Sequence, residues 1–224
     1  MGEKKTVEDM DTAVRQVVSK AIASEGVIDI FAQAGLKNPD ISILSDEFLA
    51  DIQGLPQKNL ALEMLRKLIN DEIKVRSRKN VVEARSFREM LQASILKYQN
   101  RGIETAEVLQ ELIELARKLK AAQQRGEVLG LNESEVAFYD ALATNGSAVE
   151  VLGDETLKQI ARELADRIRR SATIDWTIKE TVRAEMRAMV RRLLRKYKYP
   201  PDQQEAATEL VLTQAETLAH DLVA

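Results

Sequence analysis

Helix-breaking residues are scarce in this chain: four prolines and nine glycines punctuate 224 residues. Between them apolar side chains return every three or four positions, the period of one helical face rather than the two-residue alternation of a half-buried strand. The nearest approach to a strand, Ile41-Ser42-Ile43-Leu44, is too short to found a sheet and reads as a connector. The expectation is an all-α fold, a multi-helix bundle of about nine helices.

Helix starts and stops can be placed from caps and glycines. A first helix is expected from Thr6 to about Ser24, a short one from Val27 to Ala34, and another from Asp46 to Gln53 that is capped by Ser45 and stopped by Gly54. Leu60 to Lys79 repeats Met64, Leu65, Leu68, Ile69 and Ile73 at helical spacing. Ser86 with Glu89 spells a capping box for a helix running to about Asn100. Thr105 to Arg125 carries Val108, Leu112, Leu115 and Leu119 on one stripe, with Glu107, Glu111 and Glu114 off it. Asn132 with Glu135 opens the next helix, Asp154 starts a long one, and Trp176 to Lys198 forms another that Pro200-Pro201 stops. Asp202 with Glu205 spells a third box, ahead of a closing helix lined by Leu210, Val211, Leu218 and Leu222.

Composition removes whole classes of chemistry. With no cysteine there is no disulfide, thiolate zinc site, iron–sulfur cluster or cysteine nucleophile, and a single histidine excludes multi-histidine metal sites. No apolar run reaches the ~18 residues of a membrane span, and the N-terminus lacks a signal peptide's apolar stretch, so a cytoplasmic protein with no membrane partner is expected. Met1-Gly2 with Thr6 matches a myristoylation pattern, but so short a match carries little weight. No phosphate loop, HExxH, GxSxG or EF-hand pattern occurs.

Pro39-Asp40 followed by Glu72-Ile73-Lys74 spells a pattern found in magnesium nucleases. That chemistry needs its carboxylates and lysine at the ends of adjacent strands, where they can hold a hard cation, and residues 60–74 have helical period. His220 has neither a second ligand nor a nearby serine in the sequence and reads as a helix-end residue; Trp176 reads as a core anchor. No catalytic, cofactor-binding or metal-ligating residue is expected in the chain.

Charge is distributed in blocks. The net value of −3 resolves into −4 for 1–61, +5 for 62–101, −6 for 102–161, +7 for 162–198 and −5 for 199–224. The strongest local signal lies in the fourth block, where Arg183, Arg187, Arg191 and Arg195 recur every four residues opposite an apolar side. Like charges at that spacing repel, so either acidic groups elsewhere in the fold or a negative partner must compensate. These four arginines are the candidate partner-binding residues. With nine aromatics in the chain, base stacking has little support, and nucleic-acid contact would be contact with phosphate.

Long segments then carry a resemblance. NLALEMLRKLINDEIKVRSRKN (59–80), YQNRGIETAEVLQELIELARKL (98–119), LGLNESEVAFYDALA (129–143), AVEVLGDETLKQIARELADRIR (148–169) and ATIDWTIKETVRAEMRAMVRRLLRKYKYPPD (172–202) closely resemble the C-terminal helical region of the restriction, or R, subunit of type I restriction-modification enzymes. PDISILSDEFLADI (39–52) resembles the stretch joining that region to the preceding motor. The resemblance implies connector helices over 1–58 and a helical assembly domain over 59–224. In that family a nuclease domain and two ATP-driven translocase domains precede this region, and the whole enzyme is an ATP-dependent deoxyribonuclease requiring ATP and magnesium. Neither the nuclease nor the motor motifs have counterparts here, so no catalytic position or cofactor carries over.

What the resemblance implies is a role: docking the motor subunit onto a methyltransferase core of modification and specificity subunits. The alternative is a duplex-DNA phosphate-contacting module that supports the motor. Near-cancelling charge blocks favour assembly, since a dedicated DNA binder is usually net basic.

Overall fold

The computed structural model describes residues 46–100, 104–171 and 180–223, and every regular element among them is an α-helix. In chain order these are α1 (Asp46–Gly54), α2 (Lys58–Ser77), α3 (Val81–Gln99), α4 (Thr105–Gln123), α5 (Arg125–Leu129), α6 (Glu133–Ala143), α7 (Gly146–Ser171), α8 (Glu180–Lys196) and α9 (Gln204–Val223). The all-α expectation holds. The helices expected over 6–24 and 27–34, the Ser45 cap, the Ile41–Leu44 connector, Pro39-Asp40, Trp176 and the side chain of His220 lie outside the described residues.

Two apolar cores organise the helices. The first gathers Leu49 and Ile52 of α1, Leu65, Ile69 and Ile73 of α2, Phe87 and Leu91 of α3, and the α4 stripe Val108, Leu112, Leu115 and Leu119. Glu107 and Glu114 point to solvent, as the α4 pattern required. The second core is built by Phe138 and Leu142 of α6, Leu157, Ile160, Leu164 and Ile168 of α7, Met186, Val190, Leu193 and Leu194 of α8, and Val211, Leu212 and Ala215 of α9. Each buried Leu or Ile contributes about 1.5–3 kcal/mol, which makes these stripes the main source of stability. Helix α3 joins the halves, packing on α2 and α4 on one side and on α6 and α9 on the other.

Two expected boundaries are corrected. Helix α3 starts at Val81, with Asn80 as its cap: Asn80 Oδ1 accepts from Glu83 N at 3.0 Å. Ser86 and Glu89 therefore lie exposed inside the helix and form no cap. Helix α9 opens at Gln204, which leaves Asp202 ahead of the cap position and Glu205 at the second helical residue, out of register for a box. The Asn132–Glu135 box forms as expected, with both reciprocal hydrogen bonds. Glu104 and Glu107 make another at the start of α4.

Helix α7 bends at Gly153 (φ 72°, ψ 163°), a conformation open to glycine and strained for any other residue. The expected start at Asp154 thus marks the second arm of a kinked helix. Helix α8 is followed by a left-handed residue, Lys198 (φ 56°). Tyr199 N reaches back to Leu194 O at 2.9 Å, the six-to-one bond of a Schellman turn, and the two prolines follow. That turn drives the Tyr199 ring into the second core, where its hydroxyl donates to Leu142 O at 2.8 Å.

Candidate assembly surface

The basic stripe of α8 does not face solvent unopposed. Because the Pro200-Pro201 turn folds α9 back antiparallel to α8, acidic residues of α9 fall opposite the arginines. Arg183 Nε lies 3.0 Å from Glu216 Oε1, Arg187 Nη2 lies 2.7 Å from Glu209 Oε1, and Arg191 Nη2 lies 2.5 Å from Glu205 Oε2. The fourth, Arg195, is exposed and has no ion-pair partner among the described residues. These three pairs form a ladder along one edge of the second core, open to water on its outer side: Glu205 is 63% exposed and Arg187 38%. Pairs so exposed are each worth well under about 1 kcal/mol, so the ladder shapes surface charge more than stability.

Beside the ladder, Glu163 of α7 collects three donors. Lys196 Nζ reaches Oε2 at 2.8 Å, the Tyr197 hydroxyl donates to the same oxygen at 2.9 Å, and Arg167 Nη2 holds Oε1 at 2.5 Å. Burial alone pushes the Glu163 carboxyl up, but the bonds from Lys196, Arg167 and Tyr197 outweigh it and leave the carboxyl below the ordinary glutamate range. Lys196 also sits 4.8 Å from the centre of the Tyr197 ring. The result is a surface of closely interleaved opposite charges.

A second polar assembly, unanticipated from sequence, lies between the two cores at the α2–α3 junction. Arg76 is 8% exposed; its Nε donates to Glu72, its Nη1 to Glu83 at 2.9 Å and its Nη2 to Leu119 O at 2.6 Å. Asn80 Nδ2 donates to Asp140 Oδ2 at 2.7 Å, and Arg125 grips both oxygens of Asp140. Buried Gln214 of α9 closes the seam, accepting from Val81 N and donating to Lys79 O. Burial pushes the Glu83 carboxyl up despite the neighbouring Arg76 guanidinium. Every charge here has a partner within the fold, so the seam is a structural joint between cores.

Near α7, burial and a 2.5 Å hydrogen bond to Asp154 push the Tyr139 hydroxyl up to about 12. Lys158 and Tyr139 in turn hold the Asp154 carboxyl below its usual range. The hydrogen-bonded chain thus runs from buried Tyr139 to exposed Asp154. Glu72 and Lys74 fall on α2, as the helical period required. Glu72 accepts from Arg76 and Gln123, and Lys74 pairs with Asp71 three residues earlier. Among the described residues no three acidic or histidine side chains converge as metal ligands would, and no helix is long and apolar enough to cross a membrane.

Comparison with known proteins bears on these surfaces. The family model described as type I restriction enzyme HindI endonuclease subunit-like, C-terminal, matches residues 1–221. The chain is 41% identical over 209 residues to the type I restriction enzyme HindI endonuclease subunit of Haemophilus influenzae, covering 93% of the chain and 20% of that protein. It is 35% identical over 158 residues to the putative type I restriction enzyme MjaIXP endonuclease subunit of Methanocaldococcus jannaschii, covering 70% of the chain and 15% of that protein. The chain thus spans a fifth or less of the length of these relatives. No solved structure matches it. With nearly its whole length matched, the chain belongs to the family of C-terminal regions of HindI-like type I restriction endonuclease subunits.

Proposed function

We propose that this chain is an assembly module: it docks an ATP-dependent translocase and endonuclease subunit onto a methyltransferase core of modification and specificity subunits, for restriction of unmodified foreign DNA. The relatives are endonuclease subunits by name. The observation that carries the reading here is the α8–α9 ladder, in which Arg183, Arg187 and Arg191 already meet Glu216, Glu209 and Glu205. A stripe with three of its four arginines neutralised from within offers less to phosphate, which is bound by uncompensated Lys and Arg. An open ladder of alternating sign suits a protein surface that presents the complementary order, giving register and selectivity. Arg183, Arg187, Arg191 and Arg195 are the proposed partner-binding residues. In this reading the chain performs no chemistry of its own, and ATP and magnesium serve other parts of the enzyme.

The test is binding of the isolated chain to its own modification and specificity subunits. A stable complex that weakens on Arg187→Glu with Arg191→Glu supports docking through the ladder. The alternative, a phosphate-contacting module, requires duplex binding that falls steeply with salt and whose salt slope drops by about 1 for each contact removed.

A further inference from the structure

Arg183, Arg187 and Arg191 of α8 find acidic partners on α9, whereas several cations on α2 and α3 find none. Residues 62–101 carry a net charge of +5, and Lys67 and Arg88 have no ion-pair partner among the described residues. These two stand on facing walls of a groove of about 720 Å³ between α2 and α3. Its acids are already engaged: Glu63 by Arg66 at 3.3 Å, and Asp71 by Lys74 at 3.4 Å. The floor is apolar. Met64 and Leu91 are buried beneath it, Ile95 is half-buried, and Leu96 stands 55% exposed, one of few large apolar side chains left in water.

We propose that the α2–α3 groove is a docking site for an amphipathic helix of a partner protein, with its apolar stripe on this floor and Asp or Glu on its flanks reaching Lys67 and Arg88. This rests on the assembly reading, to which it adds a face and a ligand class. The dimensions fit: Leu60 to Lys74 on one wall spans about 21 Å and Arg88 to Gln99 on the other about 16 Å at 1.5 Å per residue, room for three or four helical turns. Residues at i, i+3, i+4 and i+7 of such a helix would cover Leu96 and Ile95, the usual anchoring pattern of a helix in a groove.

Charge and apolarity together select this occupant. Duplex DNA would satisfy Lys67 and Arg88 but would set a charged backbone against Leu96 and Ile95, with no gain from their burial. A second copy of the chain is a poor donor. Its most acidic helix, α9, already buries its apolar set in the second core and has Glu205, Glu209 and Glu216 engaged by the arginines of α8.

The test uses the full chain and a fluorescein-labelled peptide of about 16 residues, four helical turns, with leucines at i, i+4, i+7 and i+11 flanked by glutamates. Fluorescence anisotropy should show micromolar binding, at least tenfold weaker for Lys67→Glu with Arg88→Glu and for Leu96→Gln, and absent for a scrambled peptide. All three positions are exposed, so the variants should melt like the parent. No binding up to millimolar concentration, or equal binding by the variants, overturns the proposal. Duplex DNA binding that needs Lys67 and Arg88 but ignores Leu96, with no peptide binding, assigns the groove to nucleic acid and also overturns it. In a parallel titration with the modification and specificity subunits, the groove variants should bind at least tenfold more weakly. Parental binding by those variants defeats the groove and leaves the assembly reading standing. Absence of any complex, with peptide captured as expected, defeats the assembly reading and leaves the groove.

Discussion

The side chain of Asn80 serves two helices at once: its Oδ1 caps α3 by accepting from Glu83 N at 3.0 Å, and its Nδ2 donates to Asp140 of α6 at 2.7 Å. One residue therefore starts the helix that joins the two cores and ties that start to the second core. Asn80→Ala removes a cap worth ~1 kcal/mol and a buried hydrogen bond to a charged acceptor worth about 1.5–3 kcal/mol. The expected loss is about 2–4 kcal/mol by urea denaturation, with Asn80→Ser recovering only the cap. A loss below 0.5 kcal/mol would mean that the seam does not couple the cores (threshold set at about half a weak hydrogen bond).

Lys198 adopts the left-handed conformation at the end of α8, which costs an L-residue about 1–2 kcal/mol. Lys198→Gly should relieve that strain and give back some of it to the unfolded chain's entropy, for a net gain of about 0.5–1 kcal/mol, or a rise of about 1–4 °C in Tm. Differential scanning calorimetry decides it. A lower Tm would contradict the turn geometry.

Glu163 makes acid stability a test of the α7–α8 network. Its folded-state pKa lies below the ordinary glutamate value of 4.5 because the bonds from Lys196, Arg167 and Tyr197 overcome the effect of burial. The sign is that of any depressed carboxyl: its contribution is complete above the unfolded value and is lost as pH falls through the folded value. Glu163→Gln should therefore lower the urea midpoint at pH 7, and the gap to the parent should close as pH drops from about 5 to 3. A gap that stays constant would show that the carboxylate's charge is not what Lys196 and Arg167 hold.

The ladder predicts a charge swap. Arg187→Glu with Arg191→Glu sets acid against Glu209 and Glu205 and should cost about 1 kcal/mol or less, because the pairs are half in water. Adding Glu205→Arg and Glu209→Arg should restore the parental Tm. Failure of the quadruple variant to recover stability would contradict the observed antiparallel register.

The parts of this architecture that were legible in the sequence are those set by near neighbours. The α4 stripe, the Asn132–Glu135 box and the stop at Pro200-Pro201 each rest on residues within a turn or two of one another. Ser86 and Glu89 misled because a Ser-x-x-Glu spacing also arises inside a helix, while the true start, Asn80 with Glu83, has the same spacing six residues earlier behind two β-branched valines. The ladder depended on partners in a different helix. Its signal was present, since Glu205 and Glu209 repeat the four-residue period of the arginines across a tight turn, but only the antiparallel return of α9 turns that shared period into contacts. The seam left no comparable trace. Arg76, Asp140 and Gln214 are residue types that mostly lie exposed, and their burial follows from two cores closing on one junction.

The most direct measurement is a titration of the full chain with its own modification and specificity subunits, with random duplex DNA as competitor. The assembly account predicts a stable complex that duplex does not displace and that Arg187→Glu with Arg191→Glu weakens at least tenfold (about 1.4 kcal/mol) without unfolding the chain. No complex, together with duplex binding that falls steeply with salt and is lost in the same variant, would contradict it.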